Sequence, residues 1–110
     1  CTSPNVVAWS MVGVGAGAKP FIPYAILSTT DLGAGDEVIY PNPGFPIYES
    51  QIVANGAKPV PIHLHEDRAF AFDVAELEKL ITKKTRLLIL NYPHNPTGGC
   101  LQKEDLVKVA

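Results

Sequence analysis

Three short segments of the chain carry residue types that could together bind a flat, phosphorylated, aromatic ligand. Small residues at positions 15–18, followed by Lys19, precede a predicted helix, and the exposed N–H groups of a helix N-terminus attract phosphate. Phe45 lies in a Gly-Pro turn with little core to enter, so its ring could stack on an aromatic ligand. Asn95 follows an apolar run in a turn rich in Asn, Pro and Gly, and its amide could hydrogen-bond the same ligand.

Each of these segments also has an explanation that needs no ligand. Glycine-rich turns are common before helices, and a ring such as that of Phe45 is usually buried, here by folding back onto the following helix. Asn-Pro is a common turn dipeptide, and we expect a cis bond between Asn95 and Pro96. The ligand hypothesis therefore depends on whether the three segments meet in space.

A dinucleotide site is an alternative interpretation of the first segment. Gly13, Gly15 and Ala18 have the spacing of the dinucleotide fingerprint, between a predicted strand and a predicted helix. That fingerprint also needs an acidic residue at the end of the next strand. Asp36 and Glu37 instead precede the next predicted strand, so this alternative is the weaker one.

The stretch 63–67 contains two histidines followed by two carboxylates and has a superficial likeness to a metal site. His63 and His65 share one face of a predicted strand. No other cluster of His, Cys or acidic residues in the sequence supports them. We therefore expect a solvated loop here and no metal ion.

The hydrophobic pattern alternates strands with helices along the chain. A capping box of Asp73 and Glu76 opens one helix, and prolines in the third strand suggest a sheet edge or a poorly paired stretch. The predicted strands are residues 6–14, 37–40, 59–62 and 87–90, and the predicted helices are residues 20–32, 46–54, 73–81 and 102–110. This alternation predicts an α/β fold with a mostly parallel sheet and helices on both faces. Loops that follow parallel strands open at one edge, so the three segments are expected to meet there.

The composition narrows the classes of partner. A net charge of −2 over 110 residues gives no reason to expect a nucleic acid or an anionic membrane as a partner. No apolar run is long enough to cross a bilayer. Cys1 and Cys100 have no metal or redox spacing, and we expect both to be reduced thiols in a cytoplasmic protein.

Two longer motifs resemble the class I and II aminotransferases, which are pyridoxal-phosphate-dependent enzymes of fold type I in the aspartate aminotransferase superfamily. The motifs are GDEVIYPNPGFPIYE at residues 35–49 and NYPHNPTGG at residues 91–99. The loop at residues 17–20 looks like the phosphate-binding turn of the same family. The resemblance covers residues 17–110 and leaves residues 1–16 as an atypical N-terminal segment.

The resemblance implies a fold and a cofactor site. Residues 17–110 would be the first half of the large, cofactor-binding domain, truncated at both ends. Gly17, Ala18 and Lys19 would hold the phosphate of pyridoxal 5'-phosphate, largely through backbone N–H groups. Phe45 would stack on the pyridine ring, and Asn95 would hydrogen-bond the phenolic oxygen of the cofactor.

The implied reaction is the transfer of an amino group between an amino acid and a 2-oxo acid, by a parent protein expected to be a cytoplasmic homodimer. In this family the Schiff-base lysine, the acid that pairs with the pyridine nitrogen and the substrate-binding arginine lie downstream of the Asn-Pro-Thr-Gly turn. We therefore expect no catalytic residue in this chain and no activity of the isolated fragment. Lys103 and Lys108 fit a solvated helix face. The alternative function is a non-catalytic module that binds a phosphorylated ligand.

Overall fold

The computed structural model describes residues 13–110 as strands and helices that alternate along the chain. Most of the predicted strand 6–14 and most of the atypical segment 1–16 lie outside the described residues, and residues 13 and 14 do not belong to a strand. The strands are β1 (Glu37–Asn42), β2 (Lys58–His63) and β3 (Thr85–Leu88). The α-helices are α1 (Phe21–Thr29), α2 (Ile47–Ala54), α3 (Val74–Leu80) and α4 (Lys103–Val109), and a short 3-10 helix spans Glu66–Arg68.

The three strands form a parallel sheet in the order β2-β1-β3, with β1 in the centre. Ile39 of β1 lies opposite Val60 of β2 and Leu88 of β3. The N–H of Ile89 donates to the Ile39 carbonyl at 2.9 Å and extends this pairing beyond the end of β3. The predicted α/β class and parallel sheet are confirmed, and the proline-bearing strand β2 lies at an edge of the described sheet as predicted.

The side chains of β1 alternate between two hydrophobic clusters on opposite faces of the sheet. One cluster contains Val38 and Tyr40 and is covered by α1 and α2. The other contains Ile39 and is covered by α3, with Val109 of α4 packed against it. A central parallel strand buried on both faces reads as a continuous apolar run, and this is why Val38-Ile39-Tyr40 carries no polar residue.

Helix α1 ends at Thr29, before the predicted end at residue 32. The hydroxyls of Thr29 and Thr30 donate to the carbonyls of Ala25 and Ile26, both at 2.7 Å. Side-chain donors of this kind compete with the backbone N–H groups that would continue the helix. Thr30 takes an extended conformation, and the helix stops there.

Strand β3 begins earlier in the sequence than its apolar run. The predicted strand was residues 87–90, whereas Thr85 already lies opposite Glu37 of β1. Backbone pairing does not require an apolar side chain, so polar residues at the start of a strand are missed by a hydrophobic pattern. Leu90 follows the strand and is partly exposed.

The start of α3 was predicted correctly, but its capping box is only half formed. The Asp73 carboxylate accepts a hydrogen bond from the Ala75 N–H at 2.9 Å. Glu76 was expected to return to the backbone of Asp73, and it instead pairs with Nε2 of His65 at 2.9 Å. A tertiary partner has therefore replaced the local one.

Two buried carboxylates, Asp36 and Glu37, lie at the amino-terminal end of β1. Asp36 accepts hydrogen bonds from the Asp31 N–H at 2.9 Å and from Nε of Arg86 at 3.4 Å. Glu37 accepts from Nζ of Lys58 at 3.0 Å and from the Thr82 hydroxyl at 2.8 Å. Both acids therefore act as structural links at the edge of the sheet opposite to the loops after β1 and β3, and they do not meet the requirement of a dinucleotide site.

Acidification is expected to weaken the fold through these carboxylates. The Thr82 hydroxyl and then Lys58 hold the pKa of Glu37 below its ordinary value, and the Asp31 N–H does the same for the pKa of Asp36. In the unfolded chain these groups titrate near about pH 4, so the stabilisation is complete above that pH and is lost as the pH falls through the lower folded-state values. We expect Glu37→Gln to lower the Tm at neutral pH and to make the Tm less sensitive to acid, as measured by circular dichroism.

The control for this experiment is Glu78→Gln. Glu78 is exposed on α3, and its side chain makes no hydrogen bond to any of residues 13–110. This variant should keep the full pH dependence of the unmodified chain. An equal loss of Tm on acidification in all three proteins would contradict the role of Glu37.

Two further observations concern the helices and the described cysteine. None of the helices within residues 13–110 is long and apolar enough to cross a membrane. Cys100 is disulfide-bonded, so the expectation of a reduced thiol is wrong at this position.

Candidate functional site

The loops that carry Phe45 and Asn95 follow neighbouring parallel strands. Phe45 comes shortly after β1, and Asn95 comes after β3 in the turn that ends at Gly99. Because β1 and β3 run in the same direction, both loops leave the sheet at its carboxyl-terminal edge. Both loops therefore begin at the edge of the sheet that the sequence predicts, and the meeting of Asn95 with Phe45 stays a prediction.

The glycine-rich segment before α1 contacts the loop of Phe45 through Lys19. The Lys19 ammonium lies over the Phe45 ring, with Nζ 5.5 Å from the ring centroid. This distance is that of a cation–π contact. The contact joins the first and second of the three segments, which lie on opposite sides of α1 and β1 in the sequence.

The Phe45 ring is half-buried and packs against the cluster of Val38, Tyr40 and their neighbours. It makes an edge-to-face contact with Tyr48 of α2, with ring centroids 6.1 Å apart. The ring therefore packs partly onto the helix that follows it, which is the explanation of Phe45 that needs no ligand. This packing holds the ring in place, and Lys19 lies over its face.

The segment of Gly17, Ala18 and Lys19 is exposed at the N-terminus of α1. The Gly17 N–H donates to the Gly15 carbonyl at 2.8 Å, and a Cβ at Gly17 would meet no atom within 4 Å. The N–H groups of Ala18 and Lys19 have no acceptor among the described residues. Open space and two unpaired backbone donors are what an anion at a helix N-terminus requires.

Asn95 is exposed, and its side chain makes no hydrogen bond to any of residues 13–110. The turn that holds it is closed by two short backbone hydrogen bonds, from His94 N–H to the Gly99 carbonyl at 2.7 Å and from Gly98 N–H to the His94 carbonyl at 2.6 Å. The Asn95–Pro96 bond is cis, as predicted. The Asn95 amide is thus presented on a tightly closed turn and has no partner in the described part of the chain.

His94 is a residue of this site that the sequence analysis missed. It is 2% exposed, Nδ1 lies 2.6 Å from Oγ1 of Thr97, and Nε2 is buried without a partner that meets hydrogen-bond geometry among residues 13–110. Burial lowers the pKa of His94, and the backbone of Pro43 acts in the opposite direction, so the ring is neutral near pH 7. The available signal was a histidine directly before Asn-Pro with a threonine three positions on, but burial cannot be read from such a motif.

The histidine pair at the end of β2 makes contacts within the chain. The rings of His63 and His65 contact each other with centroids 4.9 Å apart, and His65 pairs with Glu76. No group of three or more His, Cys, Asp or Glu residues within the described part of the chain could hold a metal ion.

Comparison with known proteins was made in both sequence and structure. The family model described as "Aminotransferase class I and II" matches residues 10–110. Aromatic-amino-acid aminotransferase 2 of Thermococcus litoralis is 44% identical over 81 residues, which are 74% of this chain and 21% of that protein. Aspartate aminotransferase of Pyrococcus abyssi is 43% identical over 76 residues, which are 69% of this chain and 20% of that protein. The chain therefore spans about a fifth of the length of the curated relatives that it matches.

Solved structures agree with these matches. The aspartate aminotransferase of Thermotoga maritima superposes with a TM-score of 0.79 at 31% identity, covering 84% of this chain and 24% of that one. The aromatic aminotransferase of Pyrococcus horikoshii superposes with a TM-score of 0.73 at 37% identity, covering 83% of this chain and 24% of that one. The parallel sheet described above matches the corresponding part of both structures.

Proposed function

Because the chain belongs to the class I and II aminotransferase family, we propose that its parent protein moves an amino group between an amino acid and a 2-oxo acid. Pyridoxal 5'-phosphate is the cofactor in this proposal, and the parent protein is a cytoplasmic homodimer. The relatives above are named for aromatic amino acids and for aspartate. These names differ, so the proposal extends to no particular amino acid.

The residues at the carboxyl-terminal edge of the sheet fit this cofactor. Its phosphate would accept hydrogen bonds from the N–H groups of Ala18 and Lys19, which have no other acceptor among the described residues. Gly17 would contribute space rather than a donor, because its N–H is bound to the Gly15 carbonyl. The dipole of α1 would favour the negative charge of the phosphate.

Phe45 and Asn95 would orient the ring of the cofactor. Phe45 would stack on it, and the packing of Phe45 against Tyr48 would keep the stacking face in one position. The Asn95 amide, which has no partner among residues 13–110, would hydrogen-bond its phenolic oxygen. When bound, pyridoxal 5'-phosphate supplies the electron sink for chemistry at the amino-acid α-carbon.

The contact of Lys19 with Phe45 is the single observation that carries the proposal. It brings a segment that suits a phosphate group next to a ring that suits stacking on an aromatic ligand. The sequence of either segment alone does not identify this contact. Lys19 itself is assigned no covalent role. Lys103 and Lys108 are exposed on α4, and we propose that the 110-residue chain by itself has no transaminase activity.

Titration of the 110-residue chain with pyridoxal 5'-phosphate, followed by tyrosine and cofactor absorbance, tests the proposal. We expect weak, noncovalent binding with no adduct trapped by borohydride at a specific lysine. Phe45→Leu should weaken binding roughly 3- to 10-fold, because an aromatic contact contributes about 0.5–1.5 kcal/mol. Phe45→Tyr keeps the ring face and is the matched control, with affinity close to that of the unmodified chain.

Two results would count against the cofactor site. One is an absence of saturable binding by the unmodified chain. The other is equal affinity in Phe45→Leu and Phe45→Tyr, because stacking would then make no contribution. Transaminase turnover by the chain alone would instead contradict the proposal that its catalytic groups lie elsewhere in the parent protein.

A further inference from the structure

Two consecutive residues between β2 and α3, Ala69 and Phe70, take a backbone conformation that side chains disfavour. Their φ angles are 51° and 59°, and Ala69, with ψ 40°, lies in the left-handed helical region. Residues with a Cβ atom rarely adopt this region, because the Cβ comes too close to the following carbonyl oxygen. Strained residues of this kind persist only where the surrounding structure holds them, and they cluster at functional sites. Ala69 and Phe70 are called the left-handed segment below.

Hydrogen bonds anchor the left-handed segment beside β2 and α3. The Phe70 N–H donates to the His65 carbonyl at 2.8 Å, and the His65 N–H donates to the Ala71 carbonyl at 3.2 Å. The His65 ring in turn pairs with Glu76 of α3. These bonds fix the segment on the part of the chain that leads from β2 to α3.

The left-handed segment also contacts the turn that carries Asn95. Gly99 is buried, and a Cβ added to it would lie 2.3 Å from the Ala69 carbonyl oxygen and 3.1 Å from the Phe70 Cβ. Gly99 is the residue that closes the turn, because its carbonyl accepts the His94 N–H at 2.7 Å. The backbone of the turn therefore packs directly on the segment, at a distance that only glycine allows.

A second contact lies at the other end of the same turn. The Tyr92 hydroxyl lies 3.5 Å from the Phe70 carbonyl oxygen, which is long for a hydrogen bond, and the Tyr92 ring packs beside Phe72 with ring centroids 6.4 Å apart. Burial raises the pKa of Tyr92 to about 12, so the hydroxyl keeps its proton. Tyr92 precedes Asn95 in the chain and Gly99 follows it, so the segment contacts the chain on both sides of the Asn95 amide.

We propose that the left-handed segment is a positioning element that sets the place of the Asn95 turn, and that Gly99 is the contact through which it acts. The segment is anchored by its own hydrogen bonds, whereas the Asn95 side chain makes none to any of residues 13–110. A change at the contact therefore displaces the turn and, with it, the amide. This inference rests on the proposed function, because the place of Asn95 affects binding only if its amide contacts the cofactor.

The first test compares Gly99→Ala with Gly33→Ala at a temperature well below the Tm of each variant, so that both are folded. A Cβ at position 99 meets a backbone oxygen of the anchored segment, so the turn has to move. We expect Gly99→Ala to shift the side-chain amide signal of Asn95 in NMR spectra of the ligand-free chain. It should also weaken pyridoxal 5'-phosphate binding about 3- to 10-fold, as expected when one hydrogen bond is lost. Gly33→Ala, where a Cβ meets no atom within 4 Å, should change neither the signal nor the affinity.

A second substitution tests whether the effect passes through Ala69. Glycine at this position adopts the left-handed region without strain and has a wider range of backbone angles, so the carbonyl of residue 69 can turn away from a methyl group at position 99. We expect Ala69→Gly alone to raise the Tm. Combined with Gly99→Ala, it should return the Asn95 signal toward its original position and the affinity to within about twofold of the unmodified chain. A general loss of stability in Gly99→Ala would give no such recovery.

The outcomes separate this inference from the proposed function. If the unmodified chain does not bind pyridoxal 5'-phosphate, the cofactor proposal fails, and the Asn95 signal alone then decides on the positioning role. That role is wrong if Gly99→Ala leaves the Asn95 signal as it is in Gly33→Ala, or if the double variant recovers neither the signal nor the affinity. If Gly99→Ala does not fold, the double variant is compared directly with the unmodified chain. Folding with an unshifted Asn95 signal supports the role, and a failure to fold or a shifted signal overturns it.

Discussion

Replacing Ile39 by alanine is expected to lower the free energy of unfolding by about 2–5 kcal/mol. Ile39 is fully buried at the centre of β1, the strand that pairs with both neighbours. Its side chain belongs to the cluster that includes Ile62 and Leu77, and truncation would leave a cavity among them. Whole globular domains are stable by about 5–15 kcal/mol in total, so a loss of this size is a large one for a chain that spans a fifth of its relatives' length.

Urea denaturation followed by circular dichroism measures this loss, and Ile81→Ala is the matched control. Ile81 follows the end of α3 and its side chain is largely exposed, so its truncation should cost about 0.5 kcal/mol or less. Similar losses for the two variants would mean that β1 is not the centre of the core. If Ile39→Ala is unfolded even without urea, its loss of free energy of unfolding exceeds the stability of the unmodified chain, which agrees with the prediction.

Gly44→Ala is expected to cost about 1–3 kcal/mol of stability and to weaken pyridoxal 5'-phosphate binding roughly tenfold or more. A Cβ at this position would lie 2.2 Å from the Pro41 carbonyl oxygen. That oxygen belongs to the backbone and cannot rotate away, so the loop between Pro41 and Phe45 must move. The movement would displace the Phe45 ring, because Phe45 directly follows Gly44.

Gly33→Ala separates this steric effect from the general cost of losing a glycine. Gly33 has φ +77° and a Cβ there would meet no atom within 4 Å, so its replacement introduces backbone strain of about 1–2 kcal/mol without a clash. Gly33 follows α1 and precedes β1, at the opposite edge of the sheet from the candidate site. We expect Gly33→Ala to lose stability and keep its cofactor affinity. Equal loss of affinity in the two glycine variants would contradict the steric explanation.

The sequence alone determined the order of the elements and the edge at which the candidate site lies. The apolar residues Val38, Ile39 and Tyr40 predicted a short strand, and the alternation with helices predicted a mostly parallel sheet with helices on both faces. Turn residues after two of these strands then marked Phe45 and Asn95 as residues of the carboxyl-terminal edge. These features could be predicted because they depend on short stretches of sequence. The spacing of apolar residues distinguishes a strand from a helix, and the residue types of a turn identify the turn.

Only the tertiary structure decided which distant side chains meet. Lys19 contacts Phe45, and Glu76 pairs with His65, although the residues around each of them in the sequence do not identify the partner. The burial of His94 likewise cannot be read from the residues next to it. The same is true of the polar start of β3, which became a strand because β1 offered it backbone partners. Such contacts depend on how helices and strands pack on one another, and packing is a property of three-dimensional shape that no short window of sequence contains.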